Sequence, residues 1–203
     1  MEQINLLLEK LSRRHIDANY CATAKEAIDL ILNLIPQSSS ITWGGSMTIR
    51  DMGLTDALKN SLKYNIIDRD TLTTAEEKRE AYIKAFDADF YLTSANAITK
   101  DGVIINIDGN GNRVAAITWG PKKVILIISV KKIAENIEEA LKRAREVAAP
   151  INAQRFDIKT PCKADCNCHN CNSTQSICNY IHFLRNSPGN RHHVILLGED
   201  FGY

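Results

Sequence analysis

The sequence predicts an α/β protein: three layers, with a mostly parallel sheet and one projecting β-hairpin. Three observations predict it. Apolar strand-like runs alternate with amphipathic helical runs up to about residue 150, the pattern of a parallel sheet covered on both faces. The run Val124 to Val130 is apolar apart from one Ser, as in a strand buried on both sides. The turn Asp108-Gly109-Asn110-Gly111-Asn112 lies between the β-branched runs Val103–Ile107 and Arg113–Thr118, which is a hairpin signal.

The elements follow in order. Ile4, Leu7, Leu8 and Leu11 recur at helical spacing, so Gln3 to Arg14 is an amphipathic helix. Ile16 to Cys21 is a short strand, and Cys21 reads as a small buried apolar residue. Thr23-Ala24-Lys25-Glu26 has capping-box spacing and opens a second helix that Pro36 stops. Ser40–Trp43 is a strand. A helical stretch starts near Met47, and Thr55–Lys63 is helical. Tyr64–Asp68 is a strand. Thr74-Ala75-Glu76-Glu77 caps a helix running to about Phe86, and Phe90–Thr93 is the next strand. Beyond the hairpin and the buried strand, Ile137–Val147 is a helix that ends before Pro150. The chain then turns polar, with short strands near Tyr180–Leu184 and His193–Leu197. The expectation is one domain over 1–203, with 151–203 a Cys-rich C-terminal segment packed on it.

Composition excludes several classes. The 203 residues are 44% hydrophobic and 24% charged, which suits a globular core and not a disordered chain. Net charge is +1, so no broad basic field attracts nucleic acid or an anionic membrane. The pairs Lys122-Lys123 and Lys131-Lys132 flank a strand and read as its solvated ends. The N-terminus lacks a basic, apolar leader pattern and no run is long enough to span a bilayer, so a cytoplasmic location is expected.

Three stretches carry chemistry. Gly44-Gly45-Ser46 follows a strand and precedes a helix. Glycines there let the backbone approach an anion, and Ser46 and Thr48 add hydroxyls; a tight connection with Ser46 as helix cap explains the same residues. Asn96 and Thr99 lie where a buried strand enters the hairpin. They would line a ligand crevice, or satisfy turn backbone. Arg113 is either a bidentate anion clamp or a solvated hairpin arginine. No Ser-His-Asp order, phosphate loop or carboxylate pair stands out, and Glu199 and Asp200 read as solvated acids.

The third stretch is the cysteine cluster. Five of the six cysteines, Cys162, Cys166, Cys168, Cys171 and Cys178, fall within seventeen residues. In a reducing compartment such a cluster reads as a metal site, with free surface thiols or one adventitious disulfide as the alternative, and four thiolates suit zinc or an iron–sulfur cluster equally. His169 sits inside the Cys168–Cys171 pair and reads as a loop histidine.

These residues resemble a known family. Trp43-Gly44-Gly45-Ser46-Met47-Thr48 with Gly53-Leu54 resembles the glycine motif of the LUD (lactate utilization) family. Asn96-Ala97-Ile98-Thr99-Lys100-Asp101-Gly102, Asn106, Asp108-Gly109 and Gly111–Ala116 resemble its central motif, which Gly120–Ile125 continues. Val194 to Tyr203 resembles the C-terminus of short members. The resemblance covers nearly the whole chain. It implies a fold like that of sugar-phosphate isomerases and coenzyme A transferases (the NagB/RpiA/CoA transferase type), in which glycine loops at strand ends bind phosphorylated or acyl substrates. It implies substrate-binding roles for Gly44, Gly45, Ser46, Asn96, Thr99 and Arg113, with a small-molecule anion as ligand. It also implies an accessory oxidoreductase subunit in the oxidation of lactate to pyruvate, working with iron–sulfur partner subunits. Cys162, Cys168, Cys171 and Cys178 resemble the four-cysteine arrangement of short members, with Cys166 and His169 as extras. An iron–sulfur cluster or zinc is the implied cofactor. The alternative is an enzyme or binding protein for a phosphorylated or acyl small molecule, using the loop at 44–46. A noncatalytic interaction protein is a third reading, and a homo-oligomer is compatible with all three.

Overall fold

Alternation of helix and strand persists through the chain. The computed structural model describes residues 1–203, and its elements in order are α1 (Glu2–Arg13), β1 (Asp17–Cys21), α2 (Ala24–Leu34), β2 (Ser40–Trp43), α3 (Met47–Asp51), α4 (Leu54–Ser61) and β3 (Asn65–Ile67). Then come α5 (Ala75–Ala85), β4 (Phe90–Thr93), β5 (Ala97–Thr99), β6 (Ile104–Asp108), α6 (Asn112–Thr118), β7 (Lys123–Ser129) and β8 (Ile133–Ala134). The last group is α7 (Ile137–Lys142), a π-helical segment (Arg143–Ala148), α8 (Ala149–Ala153), α9 (Pro161–Asp165), β9 (Tyr180–Leu184) and β10 (His192–Leu197).

Six strands form one sheet in the order β1-β10-β7-β4-β2-β3, all parallel. Strand β7 shows why the sheet is buried on both faces. Its Val124, Leu126 and Ile128 point into one core with Leu7, Leu11 and Val194. Its Ile125 and Ile127 point into the other, with Ile31, Trp43 and Leu58. Each such side chain contributes about 1.5–3 kcal/mol when fully buried. Helices α2, α3 and α4 cover the second core, while α1 and α6 cover the first. The three-layer, mostly parallel α/β class is therefore what the chain adopts.

The caps behave as their sequence signals predict. Thr23 Oγ1 accepts from Glu26 N, and Glu26 Oε2 accepts from Ala22 N at 2.8 Å. Thr74 and Glu77 close a reciprocal capping box on α5.

Three expectations need correction. A hairpin forms, but its arms are β5 and β6, antiparallel around Lys100–Gly102, and they are the inner strands of a second sheet. The expected second arm, Arg113–Thr118, is α6. Gly111 takes the left-handed φ of +82° at its start, and the Asp108 carboxylate accepts from Asn110 N and Gly111 N, turning strand into helix. Helix-forming Ala115 and Ala116 then favour continuation as a helix. The second correction is at Pro150, where the helix continues to Ala153. The preceding π-helical segment shifts the hydrogen-bond register by one residue, which relieves the clash a proline otherwise makes with its preceding turn. Third, residues 151–203 are not simply packed on the domain. Strand β10 is interior to the main sheet, and β9 completes a second sheet in the order β8-β5-β6-β9. The apolar run Val194–Leu197 fills the gap between β1 and β7, so the first core cannot close without it. No helix is long and apolar enough to cross a membrane.

Candidate functional site

A cleft of about 530 Å³ opens at the C-terminal ends of four parallel strands. Gly45, Ser46 and Thr48 follow β2, Ser94, Ala95 and Asn96 follow β4, Lys132 follows β7, and Gly202 and Tyr203 follow β10. Open α/β sheets bind ligands at this edge because the connections diverge there. Arg69, Arg113 and Arg155 join Lys132 on the walls, against a single carboxylate, Asp108. Four basic side chains to one acidic one give the lining an excess of positive charge.

Its chemistry centres on Lys132. The sequence reads Lys131-Lys132 as a solvated pair, and only Lys131 is exposed; Lys132 is 3% exposed. Its Nζ donates to Thr48 Oγ1 at 2.9 Å, Ser94 Oγ at 3.1 Å and the Ala95 carbonyl at 3.2 Å, and no carboxylate faces it. Burial, reinforced by the positive charges of Arg143, Lys131 and Arg113, pulls its pKa down to about 7. A Cβ on Gly202, whose φ is +67°, would stand 3.1 Å from this Nζ and would collide with Thr48 Oγ1. Glycine is what lets the tail lie directly over the amine.

Arg113 is at the cleft but is not free to clamp a ligand. Its Nη1 donates to the Ser94 carbonyl at 3.2 Å and Asn106 Oδ1 at 2.8 Å. Its Nη2 donates to Asn96 Oδ1 at 3.1 Å and the Ile107 carbonyl at 2.6 Å, and its Nε stands 3.6 Å from Asp108. The guanidinium is thus spent on fastening the strand-end loops to each other. Directly across the β6–β9 pair, buried Asn106 Nδ2 and His182 Nδ1 have no protein partner.

The other expected residues divide. Gly45 and Ser46 line the cleft, and the Ser46 hydroxyl makes no capping bond. A Cβ on Gly45 would come within 2.6 Å of Arg69 Nη2, so this glycine admits the arginine. Gly44 is buried behind the cleft, where a Cβ would meet the Tyr91 hydroxyl at 2.9 Å. Asn96 fixes its Oδ1 on Ile107 N at 2.8 Å and on Arg113, which leaves its Nδ2 without a protein acceptor at the cleft wall. Thr99 is not at the cleft: its Oγ1 accepts from Val103 N at 2.8 Å and donates to Asp101 at 2.5 Å, satisfying the β5–β6 turn. Glu199 is engaged away from the cleft, where its Oε2 accepts from Ala24 N at the start of α2. The sequence reading missed Lys132, Arg69 and Arg155. Arg69 stacks on Tyr82, 5.4 Å from its ring centre, and Arg155 donates to the Gly45 carbonyl at 3.2 Å.

The cysteines lie apart from these cations. All six are free thiols. Burial, reinforced by the charges of Cys162, Cys168 and Cys171, raises the Cys178 thiol to about 11. Cys166 is not among the charges that act on Cys178. No group of three or more His, Cys, Asp or Glu side chains is set at metal-binding geometry. The donors fit zinc or a cluster in kind, not in their present spacing.

Comparison with known proteins agrees with the fold. A family model, described as the LUD domain, matches residues 4–197. A solved structure of a DUF162 family protein from Deinococcus radiodurans is similar at TM-score 0.57 with 13% identity, covering 97% of this chain and 96% of that one. The eIF2B delta structure from Chaetomium thermophilum matches at TM-score 0.39 and 17% identity, over 70% of this chain and 59% of that one, too distant to bear on the fold. No curated protein matches.

Proposed function

The chain belongs to the LUD domain family, and on that premise we propose that its cleft binds a small anionic metabolite, an organic acid or an acyl or phosphorylated compound. Membership places it generally among lactate-utilization-related proteins. One observation carries the proposal: a buried ammonium without a carboxylate partner, Lys132, beside Arg69 and Arg155 at the carboxyl edge of a parallel sheet. A ligand anion supplies the charge this wall lacks. Asn96 Nδ2 and the Ser46 hydroxyl supply neutral donors for its oxygens. The test is a thermal-shift screen of lactate, pyruvate, sugar phosphates and coenzyme A esters. A stabilising hit among the anions, weakened by added salt, is the expected result. No response from any of them contradicts the reading.

A second reading concerns the cysteines. The charges of Cys162, Cys168 and Cys171 acting on Cys178 support a shared ligand set for iron–sulfur or zinc. Such a set suits an accessory subunit of lactate oxidation, because converting lactate to pyruvate releases two electrons that partner iron–sulfur subunits would accept. A bound cluster would supply an electron relay, and bound zinc would only fasten 162–178. Anaerobic purification with metal analysis and EPR separates these outcomes. Metal-free protein after reconstitution, with no co-purifying partner subunit, argues against both.

A further inference from the structure

We propose that Lys132 is the reacting residue of the cleft: its free amine condenses with the carbonyl carbon of a small oxo compound whose anionic group the arginines hold. The inference rests on the anion-binding reading and deepens it by naming the ligand's second functional group, a ketone or aldehyde.

The geometry admits a neutral amine as well as an ammonium. The groups facing Nζ are Thr48 from α3, Ser94 and Ala95 from the end of β4, and the Gly202 backbone. The nearby charges are those of Arg143, Lys131 and Arg113, all positive. Asp108, the one carboxylate of the cleft, is held by Arg113 and by Asn110 and Gly111 N–H groups. Two of the three partners of Nζ are hydroxyls, which donate as readily as they accept. An ammonium donates to all three. The free amine donates to the Ala95 carbonyl and one hydroxyl while the other hydroxyl turns to donate to its lone pair. The same pocket therefore accommodates both protonation states, unlike an ion-paired lysine. Desolvation and neighbouring cations are the two conditions that make a lysine nucleophilic near neutrality.

The step balances without an added reagent. The nitrogen lone pair attacks the carbonyl carbon, and the C=O π pair moves to oxygen. A nitrogen proton reaches that oxygen through Thr48 or Ser94. The second nitrogen proton follows by the same hydroxyls to the departing oxygen, the C–O bond breaks with release of water, and C=N forms. Nothing is oxidised or reduced.

The test uses the full chain with two probes, pyruvate for a 2-oxo acid and glycolaldehyde phosphate for a phosphorylated aldehyde. Sodium cyanoborohydride traps the imine, and peptide mass mapping locates it. The expected result is one adduct, at Lys132, equal in mass to the probe less one oxygen and absent from Lys132→Arg. Its yield rises about tenfold between pH 6 and pH 8 and then levels off, whereas an ordinary lysine climbs through that range and beyond. Calorimetric binding of either probe without an adduct at Lys132 overturns the covalent step and leaves anion binding standing. Adducts spread evenly over surface lysines overturn it as well. Neither binding nor adduct overturns both readings. Mapping the wild-type chain decides the point even if the variant fails to fold.

Discussion

Replacing Arg113 by Met removes the cation that fastens the cleft together. Asp108, 8% exposed, loses its only charged partner but keeps backbone donors from Asn110, Gly111 and Val114. Asn106 Oδ1, fully buried, loses its one donor, and the Ser94 and Ile107 carbonyls lose theirs from the guanidinium. Breaking a buried ion pair from one side costs about 3–5 kcal/mol, and an orphaned acceptor about 1–3 kcal/mol. The retained backbone donors on Asp108 hold the sum to about 3–5 kcal/mol. For a chain of this length that is a fall in Tm of about 6–20 °C. Arg113→Lys keeps a charge near Asp108 but cannot span four acceptors, so it loses about half as much. Urea denaturation followed by circular dichroism measures both. If Arg113→Met is within about 1 kcal/mol of wild type yet abolishes anion binding, the guanidinium is a ligand clamp and the positioning role assigned to it is wrong.

Three further outcomes follow from the same geometry. Lys132 has its pKa lowered from 10.5 to about 7, so between these values the unfolded chain binds more protons and this residue makes stability rise with pH. Lys132→Met removes that rise, and parallel stability curves for the two proteins between pH 7 and pH 10 contradict it. Gly45→Val drives Arg69 Nη2, the mobile end of a side chain, out of the cleft; anion affinity falls about tenfold while Tm stays near wild type, and a large loss of Tm with unchanged affinity refutes the assignment. Glu199→Ala removes the acceptor of Ala24 N at the start of α2, where Thr23 remains the cap, and costs about 1 kcal/mol with no effect on ligand affinity, which chemical denaturation and calorimetry check together.

Elements with strong local signals were legible. The unbroken apolar run of β7 and the Thr74–Glu77 capping box each dictate their structure through neighbouring residues alone. Residues 108–118 were not. Turn glycines flanked by β-branched residues serve a hairpin and a strand-to-helix turn alike, and the choice rests on the Asp108 carboxylate holding Asn110 and Gly111. At the site, Gly45, Ser46 and Asn96 stood at strand ends and could be found from that alone. Lys132 could not, because a lysine next to a lysine carries no sign of burial. Only the tail at Gly202 and the Thr48 and Ser94 hydroxyls, brought in from remote segments, make it an interior amine. Arg113 was found for the wrong role, since its acceptors lie on loops and strands that spacing does not relate.

Isothermal titration of wild type and of an Arg69→Gln/Arg155→Gln double variant with pyruvate and glycolaldehyde phosphate tests anion binding most directly. Neither arginine joins the buried core: Arg155 is exposed, and Arg69 contacts the Tyr82 ring and hydroxyl and its neighbour Asp70. Wild type is expected to show saturable one-site binding that falls at least about tenfold, roughly 1.4 kcal/mol, in the double variant while Tm is retained. Equal affinity in both proteins, or none in the wild type, contradicts it.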